Sequence, residues 1–156
     1  MSNIKIEKKE NELHVTFIDS INEKTDFKSN SIENAEIVKI FFQNVKYINS
    51  LGVREWVKWI NTNQNSKIRL YECPRSIIDQ VNMFSGFFPS NALVLSFYVP
   101  YHSEQTDETK NILFRYGKEF YDGGKLELPQ VLDSKGLAMN LDIFPEKYFN
   151  FLKSKN

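Results

Sequence analysis

The sequence predicts an α/β protein, with a mixed β-sheet, helices packed against it, and a small β-rich extension ending in a helix. Three observations carry this reading. Segments 3–8, 12–17 and 67–73 alternate polar and apolar residues with the period of a strand. Segments 51–62 and 74–84 repeat apolar residues at helical spacing. Beyond Pro100 both patterns weaken, which separates a first unit over 1–100 from an extension over 101–156.

Each element follows from its residues. Ile4 and Ile6, then Leu13, Val15 and Phe17, alternate around the polar break Glu10-Asn11, so the first two strands form a hairpin. His14 has the opposite parity from Leu13 and Val15, which turns it to solvent or to a second layer. Segment 19–34 is polar, and Ile18, Ile21, Phe27 and Ile32 are too few to make it more than a connection with one helical turn. The run A-E-I-V-K-I-F-F at 35–42 is nearly continuous in β-branched and aromatic residues, the pattern of a central strand covered on both faces. Val53, Trp56, Val57 and Ile60 give the first helix its apolar face, with Trp59 beside it. Pro74 starts a second helix bearing Ile77, Ile78, Val81 and Phe84, and Gly86 stops it. The strand at 93–99 is ended by Pro100.

The extension offers a strand at 111–116, a turn at Gly123-Gly124, short strands at 126–128 and 139–143 around a loop at 133–136, and a helix started by Pro145. Tyr148, Phe149 and Leu152 form that helix's apolar face. Its own core is too small for independence, so the extension must pack on the first unit.

Composition excludes several classes. Twenty basic and twenty acidic residues cancel, leaving no net field to draw the chain to nucleic acid or to an acidic membrane. Cys73 is the only cysteine, so neither an intramolecular disulfide nor a cysteine metal cluster can form. The beginning M-S-N-I-K-I-E-K-K-E lacks a signal-peptide core, and no apolar run reaches membrane length. A soluble, cytoplasmic protein without cofactor or metal is the expectation. The 14% aromatic content points first to core packing and second to an aromatic surface for a partner or a second copy.

The stretch Y-I-N-S-L-G-V-R-E-W-V-K-W-I at 47–60 leads from an apolar strand through a polar turn into the helix holding both tryptophans. Asn49 or Ser50 caps that helix, leaving N–H groups near Leu51 to Val53 free for an anion or a partner.

This order of elements, with N-S-L-G-V at the exit of the third strand, resembles the STAS domain of sulfate-transporter tails and bacterial anti-sigma-factor antagonists. The family's motif is approximately D-S-S-G followed by an aliphatic residue. Here Asn49 replaces the Asp, Ser50 matches the first Ser, Leu51 replaces the second, and Gly52 and Val53 match. The resemblance implies a signalling module whose partner is an anti-sigma-type kinase or another regulator. It also implies a missing switch, because the usual phospho-acceptor precedes the glycine and leucine cannot take phosphate. Ser50 reads first as a helix cap and second as a relocated phospho-acceptor. In the extension, Ser103 and Thr106, then Leu132 and Lys135 before Gly136, have the spacing of the two C-x-x-C knuckles of a zinc ribbon. Every ligand is replaced, so the resemblance implies a metal-free relic.

No catalytic constellation can be assembled. His102 with Glu104, Asp107 and Glu108 reads as a solvated loop, and Asp19, Glu23 and Asp26 as a hydrated connection. Cys73 reads as a buried thiol. The expected function is therefore non-enzymatic binding of a partner protein through Asn49, Ser50, Leu51, Gly52, Val53, Arg54, Glu55 and Trp59, with Trp59 as anchor and Arg54 and Glu55 as accessible polar groups. The competing readings are a sensor for an anionic metabolite or nucleotide at the same helix start, with the tail as lid, and a structural homo-oligomer.

Overall fold

The computed structural model describes residues 3–153 and shows a mixed α/β fold built on two sheets. Strands β1 (Ile4–Lys9) and β2 (Glu12–Phe17) form the expected antiparallel hairpin. Strands β3 (Ile37–Phe41), β4 (Lys67–Tyr71) and β5 (Ala92–Val94) then add in parallel, in the order β1-β2-β3-β4-β5. Helix α1 (Ser50–Ile60) connects β3 to β4, and helix α2 (Arg75–Met83) connects β4 to β5.

Because successive parallel strands all step the same way across the sheet, right-handed crossovers place every connection on one face. This corrects the expectation that β3 is covered on both faces. Val38 and Ile40 are buried under the helices, whereas Ile37, Lys39 and Phe41 lie half-buried on the other face. The lysine inside that apolar run was the local sign of a half-covered strand. His14 lies on this open face too, with its Nε2 3.0 Å from Glu12 Oε2, and Lys39 joins the same carboxylate at 3.4 Å.

The polar connection at 19–34 forms no helix, but it is not a bystander. Ile21, Phe27 and Ile32 are buried, and Ile21 bridges Ile48 in parallel. The segment covers the sheet beside α1, as a helix would elsewhere. Its backbone is held by its own polar side chains, with Thr25 Oγ1 accepting from Asn22 N and Asp26 Oδ1 from Ser29 N.

At α2, Pro74 is the cap, and Phe84 leaves the helix in an extended conformation before Gly86 is reached. Phe84 is thus exposed rather than part of the core face. The predicted strand at 93–99 is two strands. Leu95 breaks it, its N–H still bonding Leu70 O, and β6 (Ser96–His102) begins a second sheet of order β7-β6-β8 with β7 (Thr109–Arg115) and β8 (Asn140–Leu141).

Pro100 lies inside β6 instead of ending it. Its carbonyl accepts from Asp142 N, just past β8, and a residue's N–H and C=O point to the same side of a strand. The missing N–H therefore faces the β8 side, where pairing is only two residues long, and the long β6–β7 ladder loses no bond. A division at 100/101 consequently falls within a strand; the second sheet starts at Ser96.

One apolar cluster runs through both sheets. Phe17, Phe42, Trp56 and Phe87 form its first half, with Trp56 donating its indole N–H to Phe87 O at 2.8 Å. Phe97 centres the second half, touching Phe114, Phe120, Tyr148, Phe149 and Phe151. The chain ends in α3 (Pro145–Tyr148) and a 3-10 turn (Phe149–Leu152), whose inward residues are Tyr148, Phe149 and Phe151, Leu152 being half-buried. Tyr148 ties the parts together, donating its hydroxyl to Tyr98 O at 2.6 Å and accepting from Asn82 Nδ2 at its carbonyl.

Candidate functional site

The corner at 47–55 lies at the carboxyl end of the parallel strands, where open α/β sheets present their loops. Asn49 is the helix cap: its Oδ1 accepts from Gly52 N at 2.8 Å and its carbonyl from Val53 N at 2.9 Å. Ser50 is the first residue of α1, so the capping role expected of it as one of two candidates belongs to Asn49. Its hydroxyl-bearing side chain is exposed.

Gly52 is needed for packing rather than for binding. A Cβ there would meet Ile21 O at 2.5 Å and Ile21 C at 2.8 Å, so only glycine lets the connection pass against the helix. Asn49 N bonds Ile21 O, and Ile21 N bonds Tyr47 O, locking that close approach. Ser20 Oγ accepts from both Lys46 N and Tyr47 N at 3.1 Å.

Trp59 is not an accessible anchor. It is 5% exposed, packs against Phe17, Phe27 and Trp56, and donates its indole N–H to Asn30 O at 2.7 Å. The connection at 19–34 covers the side of α1 that the helical pattern left open. Truncating Trp59 to Ala would cost about 3–5 kcal/mol, so lost binding in such a variant would report unfolding. The exposed residues at the corner are Ser50, Leu51, Arg54 and Glu55, while Val53 is half-buried. Leu51, at 51% exposure, and Tyr47, at 53%, are the large apolar groups there.

Tyr47 was not singled out in the sequence, and Glu23 was read there only as part of a hydrated connection. Tyr47 Oη accepts from Asn22 Nδ2 at 3.0 Å, and Glu23 Oε2 accepts from Asn49 Nδ2 at 2.7 Å. That hydrogen bond, first among its causes, holds the Glu23 carboxyl below its ordinary range. With a carboxylate at the cap and two of the first N–H groups already bonded to Asn49, the helix start has little left to offer an anion. Beyond Tyr47 and Ile48 the corner opens into a groove of about 860 Å³ between α2 and α3, where Met83 and Phe144 are exposed.

The remaining sequence candidates are structural. His102 Nε2 lies 2.8 Å from Asp107 Oδ1, and this bond raises the imidazole above its ordinary value. Among the described residues no group of three metal-ligating side chains comes together. Burial, with Glu72 nearby, pushes the Cys73 thiol far up. The two ribbon-spaced segments do meet: Ser103 Oγ donates to Asp133 Oδ2 at 2.6 Å, Ser134 N and Oγ both donate to Glu108 Oε1, and Lys110 Nζ donates to Leu132 O. Among the described residues no helix is long and apolar enough to cross a membrane. No family model, curated protein or solved structure matches the chain.

Proposed function

We propose that the protein is a non-enzymatic, STAS-like bacterial regulatory module that binds a partner protein, an anti-sigma-type kinase or another regulator, through its strand-to-helix corner. The observation that carries this reading is an exposed leucine in the first turn of α1, beside an exposed tyrosine at the carboxyl end of the sheet. A large apolar group held in water at a rigid, capped helix start has no role in this fold's packing and suits a contact surface. Tyr47, Ser50, Leu51, Arg54 and Glu55 make the contact, Asn49 and Gly52 shape it, and Trp59 supports it from within. Leu51 also removes the hydroxyl on which the family's phospho-switch acts. Docking is therefore constitutive with respect to that position.

Affinity capture from an extract of the source cells tests this, with the wild-type chain compared to Leu51→Ser and Arg54→Ala variants of unchanged melting temperature. A protein retained by the wild type and lost with both variants is expected. Equal retention by all three overturns the reading.

The second reading is phosphorylation at Ser50, favoured by one observation: its exposed side chain lies one helical turn before the exposed Arg54. Stoichiometric phosphate on Ser50 in intact-mass spectra of the protein from its own cells would put a switch back at this corner.

A further inference from the structure

A second cavity, of about 520 Å³, lies between α2, the strand β5 and the extension. It adjoins the groove beyond the corner at Asn82 and Asn150 and falls within the size range of small-ligand sites. Phe88, Tyr116, Phe120, Tyr121 and Phe151 contribute aromatic rings to its wall. Among the described residues that line it, Asp122 carries the only formal charge. Phe88, Phe120 and Phe151 are buried, which fixes the walls, whereas Tyr116 is 41% exposed and Asp122 lies open at the mouth.

Within the described lining the formal charge is of one sign. The Asp122 carboxylate near Tyr116 raises its phenol above the ordinary value. Tyr121 is raised as well, first by burial and then by Glu127 and Glu119. The molecule already places one cation on these rings: Lys125 Nζ stands 5.6 Å from the centroid of Tyr121. Two further ammonium groups are near, Lys118, which leans to Glu119 at 3.9 Å, and Lys153, whose Cγ would lie 3.1 Å from a Cβ at Gly124, but neither lines the cavity. Gly123, between Asp122 and the turn's second glycine, would have no atom within 4 Å of an added Cβ, so the space beside it is open.

Aromatic faces attract a cation through their quadrupole, a carboxylate adds directional charge, and an apolar lining repays the desolvation of an alkylated rather than a bare ammonium. An anion would meet Asp122 with no compensating cation in the wall. We propose that this cavity binds a small organic cation, a quaternary or alkylated ammonium, seated against Tyr116, Phe120 and Tyr121 with Asp122 as its counter-ion.

The test is titration of the full chain with choline and with benzyltrimethylammonium, followed by calorimetry and by amide shifts in NMR. The uncharged isostere 3,3-dimethylbutan-1-ol and the anion benzenesulfonate are run alongside. Saturable binding of at least one cation is expected, with shifts centred on Tyr116 and Gly123 and the isostere weaker by about tenfold, the scale of a partly desolvated cation–π contact. Asp122→Asn and Tyr116→Leu, both at solvent-exposed positions, should each weaken the cation several-fold while leaving the melting temperature unchanged. Absence of saturable binding by either cation at millimolar concentration overturns the proposal. So does an isostere or an anion that binds as tightly, or an unchanged affinity in Asp122→Asn.

Discussion

Glu23 restores to the start of α1 the negative charge that Asn49 lacks. The asparagine uses both ends of its amide, accepting from Gly52 N with Oδ1 and donating from Nδ2 to the Glu23 carboxylate at 2.7 Å. A carboxylate is favourable at a helix N-terminus wherever in the sequence it comes from. Here it comes from the connection at 19–34, so this one contact both charges the cap and pins the segment that covers Trp59.

The pair predicts an unusual response to an apparently conservative change. Asn49→Asp keeps the acceptor for Gly52 N but replaces the donor facing Glu23 with a second carboxylate, so it should destabilise at neutral pH. Glu23→Gln in the same chain should recover the loss, and Asn49→Ala should cost about 1 kcal/mol, the usual worth of a cap. Since folding lowers the Glu23 pKa, its wild-type contribution is present above the ordinary carboxylate value and fades as pH falls through the lowered one. Urea midpoints of the four chains at neutral pH and near pH 4 check this; an Asn49→Asp chain as stable as wild type at neutral pH would refute it.

Gly52→Ala sets two effects against each other. Helix propensity favours alanine by about 1 kcal/mol. The new methyl, however, would lie 2.5 Å from a backbone oxygen that is itself bonded to Asn49 N, and relieving such overpacking costs about 1–3 kcal/mol. Net destabilisation is expected in chemical denaturation, with protection lost first at the Asn49 and Ile21 amides in hydrogen exchange. A neutral or stabilising Gly52→Ala would show that the connection can move away freely.

The segments at 103–108 and 132–137 are joined by hydrogen bonds where the ribbon resemblance would place a metal. Ser103 Oγ donates to Asp133 Oδ2, and Asp133 Oδ1 accepts from Lys135 N and Leu137 N. Those bonds, the serine's first, lower the Asp133 pKa, so this clasp holds above the ordinary aspartate value and loosens as pH falls through the lowered one. Ser103→Ala should lower the melting temperature most at neutral pH. If the segments are a relic of zinc knuckles, the combined Ser103→Cys, Thr106→Cys, Leu132→Cys and Lys135→Cys chain should bind cobalt with tetrahedral thiolate absorption. Failure of a folded variant to do so would reduce the spacing to coincidence.

Most of the architecture was legible because local patterns agree with it. The hairpin, the parallel strands and both long helices follow from periodicity in single segments such as 12–17 and 51–62. What could not be read depends on partners distant in the chain. Trp59 sits beside the apolar face of its helix by pattern alone, and its burial is decided by Phe27 and Asn30, roughly thirty residues earlier. The same holds for Glu23, whose place at the cap is set by chain reversal through Ile21. Pro100 was misread as a terminator because proline's effect depends on which side of a strand its nitrogen faces, and that is fixed by β8, forty residues on. In the candidate site, Leu51 and Arg54 could be named from the motif, whereas Tyr47 entered through its exposure and its bond from Asn22, neither of which the sequence pattern shows.

Among the described residues, strand β1 is one outer strand of the larger sheet, and it carries Lys5, Glu7, Lys8 and Lys9 exposed along six residues. The outward backbone groups of an edge strand are otherwise a template for a strand from another molecule. Bringing two such margins together would crowd ammonium groups and strip their water, a cost that ladder hydrogen bonds do not offset. The opposite margin, β5, is only three residues long. Both ends of the sheet are thus poor growth points for a fibre. Association by continuation of the larger sheet is thereby disfavoured at both of its margins.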